Sequence, residues 1–417
     1  MLTKHKLREL IDVTRGMSLP GEYYSESGEY IRLTMGNFNY NGGGFKENTS
    51  KTDIYYTGPI RDEYILNKGD IITPLTEQAI GLLGTTAMIP ESGKYIQSQD
   101  VALVTCKEDK LDHLYCYYLI SSDLVKKQLS AAAQQTKIRH TSPDKIMDCT
   151  VWIPEMGIQQ RIGKTLYEID QKISLSTRMN AELEAMAKQL YDYWFVQFDF
   201  PDENGHPYKS SGGKMVYNST LKREIPAGWE VKMVGDLTET PKENINPFEF
   251  PNKEFKHYSI PAYDECRSYM KEKGENIQSS KYIVKKGQIL SPKLNPWYNR
   301  IIMVDNNEDA ICSTEYVILD TLEESYKGFI YYTVKTDSFI SYCTKGSTGT
   351  SHSQRRVPPE ILKDFRFPYN KDIISRFTLC VMPQIELLNK NLEQTKNLTH
   401  LRDSLLPMLM NGQVTVG

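Results

Sequence analysis

From Gln159 to Phe195 the apolar positions recur at alternating steps of four and three: Ile162, Leu166, Ile169, Ile173, then Ser176 and Asn180, then Leu183, Ala187, Leu190 and Trp194. A heptad sustained this long predicts one helix with a coiled-coil seam. Polar Ser176 and Asn180 weaken that seam and fix its register. At about 1.5 Å per residue the helix spans roughly 50 Å. A second helix is predicted over Lys371 to Met410, with Ile385, Leu388, Leu392, Leu398, Leu401, Leu405 and Met408 on a broadly common stripe. Pro383 predicts a kink or a late start, and Pro407 with Gly412 predicts an end near Asn411. Two such stripes are expected to pack on each other, antiparallel. The alternative is that each packs on its own head.

The remainder reads as two β-rich heads of short apolar runs broken by turn residues. In the first, Tyr30–Leu33 partly alternates, Val101–Val104 reads as a buried strand, and Leu111–Leu129 reads as helical. Gly42–Gly44 predicts a loop and Gly69-Asp70 a turn. The heads repeat one another. Tyr64-Ile-Leu-Asn-Lys-Gly-Asp-Ile-Ile-Thr-Pro74 returns as Tyr282-Ile-Val-Lys-Lys-Gly-Gln-Ile-Leu-Ser-Pro292, and Trp152-Ile-Pro154 as Arg366-Phe-Pro368. Each final anchor is followed by a helix. Phe200–Trp229, rich in Pro, Gly and Ser, predicts a linker. The expected fold is therefore α+β: two pseudo-repeated β-rich domains separated by two long antiparallel coiled-coil spacer helices. The boundaries are head 1–155, central helix 156–198, linker 199–226, head 227–370 and distal helix 371–412.

Bulk properties narrow the picture. The 417 residues carry a formal net charge of -3, so any nucleic-acid partner must meet local cations or rely on other subunits. The seven cysteines are scattered, with no CxxC pair, which argues against a disulfide framework or zinc site and suits a reducing cytoplasm. Met1–Lys6 leads into mixed polar sequence and predicts no secretory leader. No apolar run approaches a membrane span.

One loop in each head precedes the apolar-Pro anchor and combines small or amide residues with cations. In the first it holds Gln134, Gln135, Lys137, Arg139 and His140. In the second, Gly346–Arg356, it holds Ser347, Thr348, Thr350, Ser351, His352, Gln354, Arg355 and Arg356. Arg suits guanine, Gln suits adenine, and Ser, Thr and backbone amides suit phosphate. The bland alternative is a solvated polar loop. Further candidates are Asn39 and Lys46, with Asn37 and Tyr40, beside the triple glycine, and Lys293, Asn295, Tyr298 and Arg300 in the second head.

Catalytic motifs are lacking. Asn295-Pro-Trp-Tyr298 approaches the Asn-Pro-Pro-aromatic loop of amino-methyltransferases but misses the second proline. Neither Gly81-Leu-Leu-Gly84 nor Gly42–Gly44 gives a cofactor-cradling turn, and no phosphate-binding Gly-x4-Gly-Lys-Ser/Thr run appears. The carboxylates Asp53, Asp62, Glu63 and Asp70 form no nuclease pattern, and histidines such as His113 and His257 are isolated.

Gln160-Arg-Ile-Gly-Lys164, Met179–Phe195, Ser211-Gly-Gly-Lys-Met-Val-Tyr217, Glu224-Ile-Pro-Ala-Gly-Trp-Glu230 and Ser404–Val414 together resemble the central and distal regions of the specificity subunit of type I restriction–modification enzymes. The resemblance runs the length of the chain in order: target-recognition domain, spacer helix, target-recognition domain, spacer helix. It implies a subunit without chemistry of its own that reads a split target in double-stranded DNA, one half per head. Its helices set the gap and dock two adenine-methylating modification subunits, joined by translocating and cutting restriction subunits. No cofactor is expected in this chain; S-adenosylmethionine, ATP and Mg belong to the partners. The docking and spacer candidates are then Ile169, Ile173, Asn180, Leu183, Leu190, Trp194, Ile385, Leu388, Leu392, Leu401 and Leu405. The competing readings are a self-contained DNA methyltransferase or nuclease, and a coiled-coil scaffold that reads no sequence.

Overall fold

The computed structural model describes residues 2–39, 43–77, 81–132, 139–306, 308–349 and 354–414. The chain divides into two compact units, one of 1–173 with 397–417 and one of 174–396. Each predicted long helix is therefore shared between the units rather than forming a body of its own.

In the first unit the repeated anchor becomes Ile71–Pro74, buried at every position. It is an inner strand of an antiparallel sheet ordered Ile11–Arg15, Val101–Cys106, Ile71–Pro74, Ala87–Met88. A second sheet, of mixed direction, joins Tyr24–Ser25, Tyr55–Tyr56, Tyr30–Arg32 and Tyr95–Ile96. The stretch predicted as one helix is two, His113–Ile120 and Asp123–Ala132. The break falls at Ser121 and Ser122, whose hydroxyls turn back to carbonyls of the preceding turn, the usual competition of serine with helix bonding.

The second unit repeats this plan. Its antiparallel sheet is ordered Thr238–Glu239, Tyr316–Thr321, Ile289–Pro292, Ile302–Met303, with the second copy of the anchor again inside. The mixed sheet gains a strand and is ordered Asn244–Ile245, Lys281–Ile283, Ala310–Cys312, Glu254–Tyr258, Met270–Lys273. Two helices follow, Lys327–Thr333 and Asp337–Gly346. In each unit the apolar-Pro anchor closes a terminal ribbon: Thr3–Lys6 with Thr150–Ile153, and Glu230–Met233 with Arg366–Tyr369.

The helices that leave these ribbons run Met156–Tyr191 and Lys371–Met410. Within the first unit, Ile162 and Leu166 of the central helix share a core with Leu409 and Met410 of the distal helix and with head residues Leu7, Ile11 and Tyr115. Within the second, Ala187, Tyr191 and Trp194 share a core with Phe377, Val381 and Ile385 and with head residues Phe329 and Phe367. The two sequence alternatives thus coexist: the helices pack on each other and on the heads. Gly163 marks one tight point. A Cβ there would sit 2.6 Å from the Tyr115 amide and 2.9 Å from Leu114 Cβ. In the second unit the small residue is on the other partner, where a Cβ on Gly328 would meet Val381 at 2.6 Å and Thr378 Cα at 3.1 Å.

Two expectations are corrected. Pro383 does not delay the distal helix, which is continuous from Lys371. The carbonyl that loses its partner belongs to Leu379, which is 76% exposed, so water can take that bond. The segment 199–226 is ordered rather than a free linker. Met215–Asn218 pairs with Arg223–Pro226, Asp199 binds the Ser210 amide at 2.7 Å, and Phe200 stacks between Tyr208 and Trp229. Its buried aromatics outweigh its turn-forming composition. Among the described residues no helix is long and apolar enough to cross a membrane.

Candidate nucleic-acid interface

In both units the chain emerging from the repeated anchor pairs with the polar loop singled out by sequence. In the first, Thr76–Glu77 pairs with Arg139–His140, and the Thr141 amide donates to the Leu75 carbonyl at 2.8 Å. In the second, Leu294 bridges to Arg356, and the Val357 amide donates to the Lys293 carbonyl at 3.0 Å. The candidate segments around Lys293 and Gly346–Arg356, separate in sequence, therefore form one surface. Gln134, Gln135, Lys137, Thr350, Ser351 and His352 lie outside the described residues, as does the side chain of Arg139. His140 is exposed.

The second loop is built by its own polar groups. Asn295, in a left-handed conformation at φ 49°, receives the Arg355 amide on Oδ1 at 3.2 Å and donates its own amide to the Arg355 carbonyl at 2.8 Å. Arg355 donates through Nη2 to the Ser347 carbonyl at 2.6 Å. Ser347 is buried and gives its hydroxyl to Thr344. Thr348 and Arg356 exchange backbone bonds of 2.9 and 2.8 Å. Ser347 and Arg355, read from sequence as ligand contacts, are thus spent on holding the loop. Thr348, Gln354 and Arg356 are exposed and Lys293 half-buried. Arg356 makes a forked pair with Glu315, at 3.0 and 3.1 Å, and Arg300 a bidentate pair with Asp264 at 2.6 and 2.7 Å. Either cation must exchange a carboxylate for a phosphate or base to contact nucleic acid.

At the first unit's glycine loop, Asn37 is buried and receives the Thr34 amide at 2.9 Å. Asn39 receives support through its amide, which donates to Gly44. Lys46 is exposed, and Tyr40 lies outside the described residues. Sequence reasoning missed Glu77. Its buried carboxylate accepts the amides of Gly81, Leu82 and Leu83 at 3.1, 2.9 and 3.0 Å. In the run Gly81-Leu-Leu-Gly84, weighed above as a cofactor turn, the first three amides are instead spent on this carboxylate.

Of the spacer candidates, Ile169, Asn180, Trp194, Ile385 and Leu388 are buried, and Ile173, Leu183, Leu190, Leu392 and Leu405 partly so. Leu401 is 46% exposed, whereas its neighbour Arg402 is buried. Leu175, Met179 and Met186 of the central helix are exposed, as is Tyr193 just beyond its end, an apolar stripe away from the seam.

A duplicated mixed α/β head whose polar loop hangs on the same strand in both copies defines a paired recognition module. Residues 2–185 match the family described as type I restriction modification DNA specificity domain. The chain is 24% identical over 323 residues to the type I restriction enzyme MjaIX specificity subunit of Methanocaldococcus jannaschii, covering 72% of this chain and 69% of that one. It is 24% identical over 333 residues to the HindI specificity subunit of Haemophilus influenzae, covering 65% and 70%. The fold matches the crystal structure of a type I restriction–modification system S subunit from M. genitalium with a TM-score of 0.63, at 15% identity, over 98% of this chain and 96% of that one. Residues 2–185 thus match a type I restriction–modification DNA specificity domain, and the chain is similar over most of its length to specificity subunits of type I restriction enzymes.

Proposed function

We infer that each head reads one half of a bipartite double-stranded target through the loop hung on its anchor strand. The observation that carries this is the duplicated pairing, Thr76 with His140 and Leu294 with Arg356. Two equivalent polar loops on two copies of one framework suit two base-reading contacts in major grooves. The exposed stripe of Leu175, Met179 and Met186 suits the docking of modification subunits, of which two are expected, with restriction subunits joining that core. S-adenosylmethionine, ATP and Mg act on those partners, in the cytoplasm. The test is adenine-methylation mapping of the source genome with and without this gene. Loss of one bipartite methylated motif supports the reading, and an unchanged methylome in cells whose modification subunit co-purifies with this chain overturns it.

A further inference from the structure

Pro74 and Pro292 close the two copies of the repeated anchor, so Leu75, Thr76 and Glu77 match Lys293, Leu294 and Asn295. The backbone bonds agree with that count at each step. The Leu75 carbonyl receives the Thr141 amide at 2.8 Å, and the Lys293 carbonyl the Val357 amide at 3.0 Å. Thr76 pairs with His140, and Leu294 with Arg356. Glu77 pairs with Arg139, and the Asn295 amide donates to the Arg355 carbonyl at 2.8 Å. Glu77 and Asn295 therefore hold one position of a shared framework, each facing the equivalent residue of its own polar loop.

The two side chains fasten those loops by different chemistry. Glu77 is 2% exposed, and one of its carboxylate oxygens accepts the amides of Gly81, Leu82 and Leu83. Successive amides of this kind make a concave anion site, and bonds to a charged acceptor are the stronger ones. The run they belong to is fixed in turn: Thr73 gives its hydroxyl to the Thr85 carbonyl and Thr86 to that of Tyr117, both at 2.9 Å. The short strand Thr76–Glu77 has Arg139–His140 as its sheet partner, so Glu77 bolts that ribbon to the core of the first head. Asn295 reaches its loop directly, receiving the Arg355 amide on Oδ1 at 3.2 Å. The other end of its run is tied down by Asn299, which donates to the Lys335 carbonyl at 3.3 Å.

A side chain that reads a base must be held within about 0.5 Å of its productive place by groups that do not themselves read. We propose that Glu77 and Asn295 are positioning residues of sequence recognition, each fixing its head's loop in the geometry that reads one half-site and acting through that loop. This rests on the reading above, in which the loops contact DNA. A change at either residue should then alter one half-site and leave the other as it was.

The test uses the full chain in complex with its modification subunit, on duplexes carrying the target found by methylation mapping or that target with one half-site scrambled. Asn295→Gly suits the left-handed backbone at φ 49° and removes only the acceptor; Asn295→Asp restores an acceptor. Glu77→Gln keeps an oxygen for the three amides and loses the charge. Asn295→Gly is expected to weaken binding about tenfold, the scale of one base contact, through the second half-site alone. Asn295→Asp should bind like the parent, and Glu77→Gln should lose affinity through the first half-site alone. Without DNA, hydrogen exchange should quicken at Arg355 in Asn295→Gly and at Thr141 in Glu77→Gln. Faster exchange with both half-sites bound as in the parent would show that the loops are held in this way but do not read DNA, which overturns the proposed reading and this consequence of it. Unchanged exchange in a variant, or equal weakening at both half-sites, overturns the positioning role of that residue.

Discussion

Asn391 donates through Nδ2 to Asn180 Oδ1 at 2.9 Å, both side chains being buried in the second unit. Asn180 in turn donates to the Leu388 carbonyl at 3.3 Å. The heptad marked Asn180 as a polar break in an apolar seam, and its partner supplies the reason: a matched pair is satisfied in one register only. Asn180→Leu strands the Asn391 amide and should cost about 1–3 kcal/mol. The double change to leucine should recover most of that loss. Urea unfolding of both single variants and the double variant measures the coupling; additive losses would mean the pair is not a unit.

A charged counterpart sits in the first unit. Arg402, its side chain 8% exposed, pairs with Asp170 at 2.8 Å, and Tyr118 donates its hydroxyl to the same carboxylate at 2.6 Å. Arg402 also pairs with Asp403 at 2.7 Å, so removing Asp170 leaves its charge partly compensated. Asp170→Asn should therefore cost less than the roughly 3–5 kcal/mol of breaking an isolated buried pair, the carboxylate itself being partly wet. Replacing Asp170 and Arg402 together by apolar residues should cost less than either single change, as judged by thermal unfolding.

These two pins show where sequence was informative. Helical periodicity is local, so both long helices and the Asn180 break were legible. The repeated anchor was legible because its strand is buried on both faces in both units. The heptad count placed Leu401 in the seam, whereas Leu401 is exposed and Arg402 is buried, its ion pair being with a residue more than two hundred positions away. The split of Leu111–Leu129, the order of the segment 199–226 and the continuity of the distal helix through Pro383 were decided by serine bonding, aromatic stacking and solvent exposure. The partners of the site cations, Glu315 for Arg356 and Asp264 for Arg300, come from a turn and a helix distant in sequence, so composition alone overstated how free those cations are.

Gly163 is held by a close approach rather than by its backbone angles. Its hydrogen faces the Tyr115 amide where a Cβ would lie 2.6 Å away. Gly163→Ala would favour an isolated helix by about 1 kcal/mol, yet overpacking here should cost about 1–3 kcal/mol. A net loss of stability in chemical unfolding is expected; a stabilised Ala variant would show that the helix can retreat from the head freely.

Glu184 gives a pH dependence of known sign. Burial alone would raise its carboxyl, but Lys335 and Arg267 outweigh it and hold the group below the ordinary glutamate range. The unfolded chain therefore binds the proton more tightly. The stabilisation is complete above roughly pH 4.3, the usual glutamate value, and is lost as pH falls through the lower folded value. Glu184→Gln should lower stability at neutral pH and flatten the acid limb of a stability–pH curve. An acid limb of unchanged slope would show that other carboxylates dominate.

Arg356 is the exposed cation of the second loop, and Glu315 is its resting partner. A phosphate or base edge must displace that carboxylate, so the pair sets a threshold for contact. Arg356→Ala in the assembled complex should weaken only the half-site read by the second head. Loss of a phosphate contact would reduce the salt slope by about 1, and loss of a base contact would relax one position by about 1–3 kcal/mol. Glu315→Gln should act in the opposite direction, tightening binding and raising non-specific affinity at low salt, because the guanidinium no longer leaves a charged partner. Filter binding across a salt series, on targets altered in one half-site at a time, separates these outcomes. Equal weakening on both half-sites would remove Arg356 from the reading surface.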